Sequence, residues 1–283
     1  MLLSSLHNKI VKRFNSRNIL SSNLDAKIIL KEALSMQDQE LILDSDIFLK
    51  SCEKKLLCEM VARREKGEPI SRILGSREFF SLDFKINNFV LDPRPETEHL
   101  VEESIKKIKE NNYNSILELG VGSGCVIISI LKSCKLIYGM GIDISLKAIK
   151  TARENASINN VNNLDLIVSD WGTSIDKKFD LIISNPPYLR SGQIDDLPKE
   201  VKSFDPIISL DGGSDGLTAY QNISKNAKRI LSGDGTIITE IAFDQAKDIE
   251  KIFINNGFLL QNKVKDYNGL DRIMVFSKKK LKK

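Results

Sequence analysis

The sequence predicts an α/β protein whose mostly parallel sheet is preceded by a small helical region and a short β-hairpin. Apolar residues recur at helical spacing over residues 1–75, and they alternate briefly over residues 77–90. From residue 115 onward, short apolar strands alternate with helical segments. This alternation is typical of a parallel sheet that is covered by helices on both faces.

Residues 1–75 are expected to form a helical bundle. We expect Asp25 to cap its second helix, and Gly67 with Pro69 to end its last helix. The sequence of this region shows no catalytic constellation, so its expected role is structural or the recognition of a partner. Three apolar stripes support the bundle: Leu3, Leu6, Ile10 and Phe14; Ala26, Ile29, Leu30, Ala33 and Leu34; and Cys52, Leu56, Met60 and Val61.

A hairpin over residues 76–92 is expected to connect the bundle to the sheet, because alternation follows Phe80 and is interrupted at Asn87-Asn88. The run Pro93-Arg94-Pro95-Glu96-Thr97-Glu98 then predicts a helix N-terminus, since proline and acidic residues favour a first turn. Residues 93–283 are assigned to the α/β domain. Its predicted strands cover 115–119, 136–143, 164–168, 179–184, 235–242, 258–263 and 272–277, with helices ending near 132 and covering 146–159 and 244–255.

The composition of the chain excludes several classes of protein. The 283 residues are 41% hydrophobic and 28% charged, as in a soluble globular protein. No apolar run reaches membrane-spanning length, and the N-terminus lacks the features of a signal peptide, so we expect a cytoplasmic location. The cysteines form no metal-binding pair, so we expect reduced, mostly buried thiols, no metal site and no Ser or Cys hydrolase chemistry. The residues concerned are Cys52, Cys58, Cys125 and Cys134, with His7 and His99.

The net charge of +4 arises at the C-terminus. The last six residues contribute five lysines, and removing these charges leaves −1 for the rest of the chain. Nucleic-acid enzymes usually carry a basic face on the folded body. We therefore expect no direct nucleic-acid contact, and we interpret residues 278–283 as a frayed tail.

A glycine-rich turn follows the first strand of the α/β domain. It contains Gly120, Val121, Gly122, Ser123 and Gly124, and Cys125 stands where a dinucleotide fingerprint requires glycine. The lysine of a P-loop is also missing from the sequence here. The remaining pattern suits an adenosyl group approached by the backbone, although a purely structural tight turn is the alternative.

Polar residues follow the next two strands. Asp143 can accept hydrogen bonds from both hydroxyls of a ribose, or it or Ser145 can simply cap the following helix. Asp170 and Trp171 follow the third strand and can contact an adenine, although a packing role for the tryptophan is nearly as plausible. The sequence does not decide which of the two contacts the ligand.

Asn185, Pro186, Pro187 and Tyr188 follow the fourth strand. The prolines stiffen the chain, because each restricts itself and the residue before it. The Asn185 oxygen and the Pro186 carbonyl can accept the two hydrogens of a planar amino group, against which Tyr188 can pack. The alternative is an ordinary Pro-rich turn. All four strand ends are expected at one edge of the sheet, where ligands bind.

These motifs resemble those of the class I S-adenosylmethionine-dependent methyltransferases, and within them the HemK-type glutamine methyltransferases that modify peptide chain release factors. The resemblance covers nearly the whole chain, and its most specific parts are 93–98 and 185–188. Further matching segments are the glycine turn, 204–206, 210–217, Glu240 with Gln245, and 269–272. The family usually has Asp in place of Glu118 and Gly in place of Ala242.

The resemblance implies a Rossmann-like sheet of seven strands with the last antiparallel. It implies S-adenosylmethionine as cofactor and S-adenosylhomocysteine as product. It places Glu118, the 120–124 turn, Asp143, Asp170, Trp171 and Asn185 at the cofactor, and residues 185–188 at both substrate and chemistry.

The reaction implied by the resemblance is methylation of the side-chain amide nitrogen of the glutamine in the Gly-Gly-Gln motif of class 1 release factors. The helical region would dock this partner, and we expect a monomer. Three rivals stay open: a glutamine methyltransferase of a ribosomal protein, a methyltransferase of an exocyclic amine in DNA or rRNA, and a non-catalytic nucleoside-binding protein.

Overall fold

A computed structural model describes residues 2–37, 39 and 46–279, so the predicted tail lies outside the described residues from 280 onward. The chain divides into two compact units. One comprises Met1–Gly75 with Pro198–Phe204, and the other comprises Ser76–Leu197 with Asp205–Lys283. The sequence boundaries placed residues 198–204 in the α/β domain, whereas the structure groups them with the helical region.

The first unit is helical. Its apolar stripes converge on one core that includes Ile10, Phe14, Ile29 and Met60. Five described helices form the unit: α1 (Leu3–Asn15), α2 (Ser22–Leu34), α3 (Ser51–Glu65), α4 (Ile70–Leu74) and the short α8 (Lys199–Lys202).

Two details of the helical unit differ from the sequence prediction. The buried face of α3 is displaced by one residue from the predicted stripe: Leu57 is 5% exposed, whereas Leu56 is 43% exposed. Asp25 does not cap α2, because the helix begins three residues earlier. Its carboxylate instead lies 2.7 Å from the Arg64 guanidinium, as measured between Oδ2 and Nε, and both side chains are buried. Arg64 also pairs with Glu200 of α8 at 2.6 Å.

The cysteines also depart from expectation. All four are free thiols, but Cys125 is the only one that is buried. Cys52 and Cys58 are exposed on α3, and Cys134 is partly exposed. The prediction of mostly buried thiols was therefore wrong, because the stripe of α3 faces the core with a different set of positions.

The second unit begins with an antiparallel hairpin of β1 (Ser76–Phe79) and β2 (Leu82–Lys85). The chain turns at Phe80 and Ser81, both of which have left-handed φ angles of 50° and 60°. Two consecutive left-handed residues are typical of the tight turn that matches strand twist. The turn therefore lies earlier than the Asn87-Asn88 interruption in the sequence.

A seven-stranded sheet forms the centre of this unit, in the order β5-β4-β3-β6-β7-β9-β8. All neighbours from β5 to β7 are parallel, and β9 is antiparallel to both β7 and β8. The predicted mostly parallel sheet with an antiparallel last strand is confirmed. The strands are β3 (Ser115–Leu119), β4 (Tyr138–Asp143), β5 (Leu164–Val168), β6 (Phe179–Ser184), β7 (Leu231–Glu240), β8 (Phe258–Lys265) and β9 (Asp271–Lys278).

Helices cover both faces of the sheet and bury two apolar cores. One core includes residues of α5 (Glu98–Asn111), α6 (Cys125–Ser133) and α7 (Leu146–Ile158), and the other includes residues of α9 (Thr218–Ile230) and α10 (Ala246–Asn255). The sequence reading missed α9, although Ile223, Ala227 and Ile230 recur at helical spacing and are fully buried. No helix among the described residues is both long and apolar enough to cross a membrane.

Candidate active site

One cavity lies at the carboxyl ends of the parallel strands within the second unit. Its volume is about 410 Å³, which is within the usual range for small-molecule sites. The residues that follow β3, β4, β5 and β6 line it, together with residues of the segments 89–97 and 208–219. The expectation that the four motifs share one edge of the sheet agrees with this placement. Ten of the thirteen predicted site residues line the cavity: Glu118, Gly120, Val121, Gly122, Ser123, Asp143, Asp170, Trp171, Asn185 and Pro187.

The glycine turn presents its backbone to the cavity. Gly122 has a φ angle of +53°, and a Cβ atom built there would meet nothing within 4 Å. Gly124 has a different role, because a Cβ there would lie 2.8 Å from Ile128 Cδ1 and 3.2 Å from Ala152 Cβ. Gly124 is absent from the cavity lining among the described residues. It instead permits α6 and α7 to approach closely.

Asp143 connects the end of β4 to the glycine turn. Its Oδ2 accepts a hydrogen bond from the Gly122 N–H at 3.0 Å, and its Oδ1 accepts one from the Ser145 N–H at 2.8 Å. Ser145 caps α7, since its Oγ accepts a hydrogen bond from the Ala148 N–H at 3.2 Å. Asp143 is therefore not the helix cap. Burial raises the pKa of its carboxyl, and the backbone hydrogen bonds partly offset that rise.

Glu118 lines the cavity and holds the first turn of α6. Its Oε2 accepts a hydrogen bond from the Ile127 N–H at 3.1 Å, which satisfies one of the free donors of a helix N-terminus. Burial raises the pKa of Glu118 well above its usual value, and the nearby Asp143 charge raises it further.

Asp170 and Trp171 both line the cavity after β5. The carboxylate of Asp170 is exposed. The Trp171 ring is partly buried and packs against the core that includes residues of α9 and α10. A Cβ atom on Gly120 would lie 4.0 Å from Trp171 Cζ3, so the indole stands beside the glycine turn. The tryptophan therefore both packs and forms a cavity wall, and the two interpretations of the sequence are compatible.

The four residues of the Asn185-Pro186-Pro187-Tyr188 segment do not all line the cavity. Asn185 and Pro187 line the cavity, whereas Pro186 is buried. Tyr188 is not among the described residues that line the cavity, and its side chain packs on the core beneath the sheet. Burial raises the pKa of Tyr188 to about 12. The expectation that Tyr188 packs on a bound amino group is therefore not matched by this arrangement, because core contacts hold its ring.

The segment 210–217 packs against this motif through backbone hydrogen bonds. The Leu189 N–H donates to the Leu210 carbonyl at 3.0 Å, and the Gly212 N–H donates to the Leu189 carbonyl at 2.8 Å. A Cβ atom on Gly212 would lie 2.8 Å from the Pro187 carbonyl oxygen, so only glycine fits. The sequence identified this segment by resemblance alone, and its contacts with the motif are visible only in the structure.

The family model described as PrmC N-terminal domain matches residues 5–75, and the one described as Methyltransferase small domain matches residues 97–201. A release factor glutamine methyltransferase of Agrobacterium fabrum is 37% identical over 270 residues, which cover 94% of this chain and 93% of that protein. The chain belongs to the release factor glutamine methyltransferase family.

A second member of this family, from Fusobacterium nucleatum subsp. nucleatum, is 38% identical over 276 residues, which cover 96% of this chain and 78% of that protein. Among solved structures, a methyltransferase from Pyrococcus furiosus superposes with a TM-score of 0.53 at 18% identity, covering 72% of this chain and 91% of that one. This likeness supports the fold of the sheet. Membership of the family, by contrast, makes the chain a methyltransferase, as the resemblance implied.

Proposed function

We propose that this protein transfers a methyl group from S-adenosylmethionine to the side-chain amide nitrogen (N5) of the glutamine in the Gly-Gly-Gln motif of class 1 peptide chain release factors. The observation that carries the proposal is the position of the Asn185 amide at the cavity that the glycine turn and Asp143 also line. Family membership supplies the substrate class, and the cavity supplies a place for the cofactor.

The residues of the cavity fit S-adenosylmethionine. The Asp143 carboxylate lines the cavity and accepts hydrogen bonds from two backbone N–H groups. Its remaining lone pairs can accept hydrogen bonds from ribose hydroxyls. The open backbone at Gly122 allows a ligand to approach closely. Trp171 and Asp170 would flank the adenine. When bound, the cofactor supplies a methyl group on an electron-poor sulfonium sulfur.

The substrate amide would be held by acceptors. Asn185 Oδ1 and the Pro186 carbonyl would accept the two amide hydrogens and direct the nitrogen lone pair toward the methyl carbon. The amide nitrogen would take the methyl group from the sulfonium sulfur, which would keep the electron pair of the broken C–S bond and leave as S-adenosylhomocysteine. Positioning supplies most of the acceleration, because an amide nitrogen is a weak nucleophile. The two acceptors also stabilise the positive charge that develops on nitrogen.

Deprotonation completes the reaction. The alkylated amide is acidic enough to lose its proton to water or a carbonyl, so no strong general base is required. We propose further that the helical unit helps to dock the release factor. The near-neutral charge of the chain without its tail supports a protein substrate over DNA or rRNA.

The test uses purified class 1 release factors, a ribosomal protein fraction and isotopically labelled S-adenosylmethionine. Peptide mass spectrometry should locate the label on the glutamine of the Gly-Gly-Gln tip. A release factor in which this glutamine is replaced by alanine is the control and should stay unlabelled. Label confined to a ribosomal protein would establish the sister activity instead.

A further inference from the structure

Five residues of the segment 89–97, which leads from the hairpin to α5, line the cavity. At one end of the segment, Thr97 Oγ1 accepts a hydrogen bond from Asn185 Nδ2 at 3.2 Å. At the other end, the ammonium of Lys147 in the first turn of α7 lies 4.1 Å from the centre of the Phe89 ring. The segment therefore extends from the amide proposed to hold the substrate to the start of α7.

Phe89 is held at the cavity through its backbone, because its ring is 46% exposed and not part of a core. Its N–H donates a hydrogen bond to Asn87 Oδ1 at 3.0 Å, and Asn87 Nδ2 donates one to Thr151 Oγ1 of α7 at 2.8 Å. The next residue, Val90, is 1% exposed and belongs to the core that includes residues of α7. The turn that carries Phe89 is thus anchored to α7.

The same helix connects the end of the hairpin to the glycine turn. Asn155 of α7 is fully buried, and its Oδ1 accepts a hydrogen bond from the Lys85 N–H at 2.7 Å. Its Nδ2 donates a hydrogen bond to the Ser123 carbonyl at 2.8 Å. One side chain therefore fixes the chain that leads to Phe89 relative to the turn that would approach the cofactor.

The surroundings of Phe89 indicate which part of the cofactor it would meet. Ile144 also lines the cavity, is 56% exposed, and directly follows Asp143, the residue proposed to bind the ribose. Apolar and aromatic side chains are typical of the walls of small-molecule sites. The ammonium of Lys147 already lies against the Phe89 ring, so a second cation there would be repelled. This disfavours the sulfonium and amino groups of the cofactor and favours its uncharged adenosyl group.

We propose that Phe89 is a cofactor-binding residue that packs against the adenosyl group of S-adenosylmethionine, and that the turn anchored to Thr151 holds its ring in place. Phe89 lies in the connector, outside the strand-end motifs from which the site was predicted. The inference deepens the proposed function, because it assigns a further residue to the cofactor site of the same transfer.

The test measures the Kd of two ligands without a release factor. S-Adenosylhomocysteine is the whole product, and 5′-methylthioadenosine keeps the adenosyl group but lacks the amino-acid end. Trp171 is the only tryptophan of the chain and lines the cavity, so its fluorescence reports on binding. Phe89→Ala should raise the Kd of both ligands by the same factor of about ten, as expected when an aromatic ring that stacks on a base is lost.

Phe243→Ala is the matched control. Phe243 is 57% exposed in the same unit and is not among the described residues that line the cavity, so its loss should leave both Kd values within twofold of the wild type. Thr151→Val removes the hydroxyl that accepts from Asn87 and should raise both Kd values about fivefold. Thr151→Ser keeps the hydroxyl and should restore binding. Urea unfolding verifies that each variant is folded.

Three results would overturn the inference. One is a Kd for Phe89→Ala within twofold of the wild type, and another is an equal loss in Phe89→Ala and Phe243→Ala. The third is weaker binding of S-adenosylhomocysteine with unchanged binding of 5′-methylthioadenosine, which would place the ring at the amino-acid end. Wild-type Kd values in Thr151→Val would overturn the anchoring through α7. Should the wild type bind both ligands yet leave release factors unmethylated, the proposed function fails, and the Kd values still decide the role of Phe89.

Discussion

The carboxylate of Asp143 lies 3.0 Å from the backbone nitrogen of Gly122, and this hydrogen bond joins the end of β4 to the glycine turn after β3. The residue that would bind the ribose therefore also shapes the turn that would face the rest of the cofactor. The two motifs are separated in sequence by a helix, and they act as one surface.

Replacing Asp143 by Ala should weaken S-adenosylmethionine binding about ten- to hundredfold, because a hydrogen bond to a charged group contributes about 1.5–3 kcal/mol. Isothermal titration calorimetry measures the effect. Asp143→Asn keeps one acceptor and should show a smaller loss. An affinity for Asp143→Ala within twofold of the wild type would exclude the ribose-binding role.

Replacing Asn185 by Ala should abolish turnover and leave cofactor affinity within about threefold of the wild type. The amide supplies one of the two acceptors for the substrate, whereas the cofactor contacts proposed for Asp143 and the glycine turn remain. Radiolabel transfer and calorimetry on the same sample separate the two effects. Undiminished turnover in this variant would contradict the assignment of Asn185.

Burial raises the pKa of Glu240, the last residue of β7, to about 7, so Glu240→Gln should stabilise the fold at alkaline pH. Below about pH 4.5, the usual pKa of Glu, the carboxyl is protonated in both folded and unfolded states. Stability then falls as the pH rises from about 4.5 to about 7, because the unfolded state releases its proton first. Above pH 7 the folded protein holds a buried charge at a cost of about 3 kcal/mol, which Gln avoids.

Urea unfolding at pH 5 and pH 8 tests this. The gain in the free energy of unfolding from Glu240→Gln should be larger at pH 8 than at pH 5. Glu78→Gln is the matched control, because Glu78 is exposed and the removal of its charge should change stability little at either pH. An equal effect of Glu240→Gln at both values would argue that this carboxyl has an ordinary pKa.

Gly124→Ala should destabilise the α/β unit by about 2–4 kcal/mol, because the new methyl group would meet Ile128 and Ala152 at a left-handed backbone position. Gly122→Ala should cost only about 1–2 kcal/mol, since its left-handed φ is strained but the surrounding space is open. Urea denaturation compares the two variants. Equal losses would show that contact between α6 and α7 does not limit the size of residue 124.

Much of the fold could be predicted from local patterns. The strand 115–119 and the strand 179–184 were placed within the observed bounds, because buried parallel strands are short apolar runs bounded by turns. The prediction failed where the pattern was ambiguous. In α3 the apolar residues occupy adjacent positions, so Leu56 and Leu57 could each have faced the core, and only packing decided for Leu57.

In the candidate site, too, some features could be predicted from the sequence and others depended on packing. A parallel sheet brings the ends of its strands to one edge, so the four motifs could be grouped without knowledge of the contacts. The orientation of Tyr188 could not be derived in this way. Its ring packs against the core that includes residues of α9 and α10, because the neighbouring side chains there provide apolar contact.

The order of strands, helices and strand-end motifs was determined by the sequence itself, since hydrophobic period and turn residues act over a few neighbouring positions. Tertiary structure alone decided that Thr97 meets Asn185, which lies 88 residues away, and that Glu240 is buried beside them. Such contacts depend on how β6, β7 and α5 pack, and burial away from water is what gives the carboxyl its altered pKa. Neither the contact between Thr97 and Asn185 nor the altered pKa of Glu240 can be derived from a local pattern of residues.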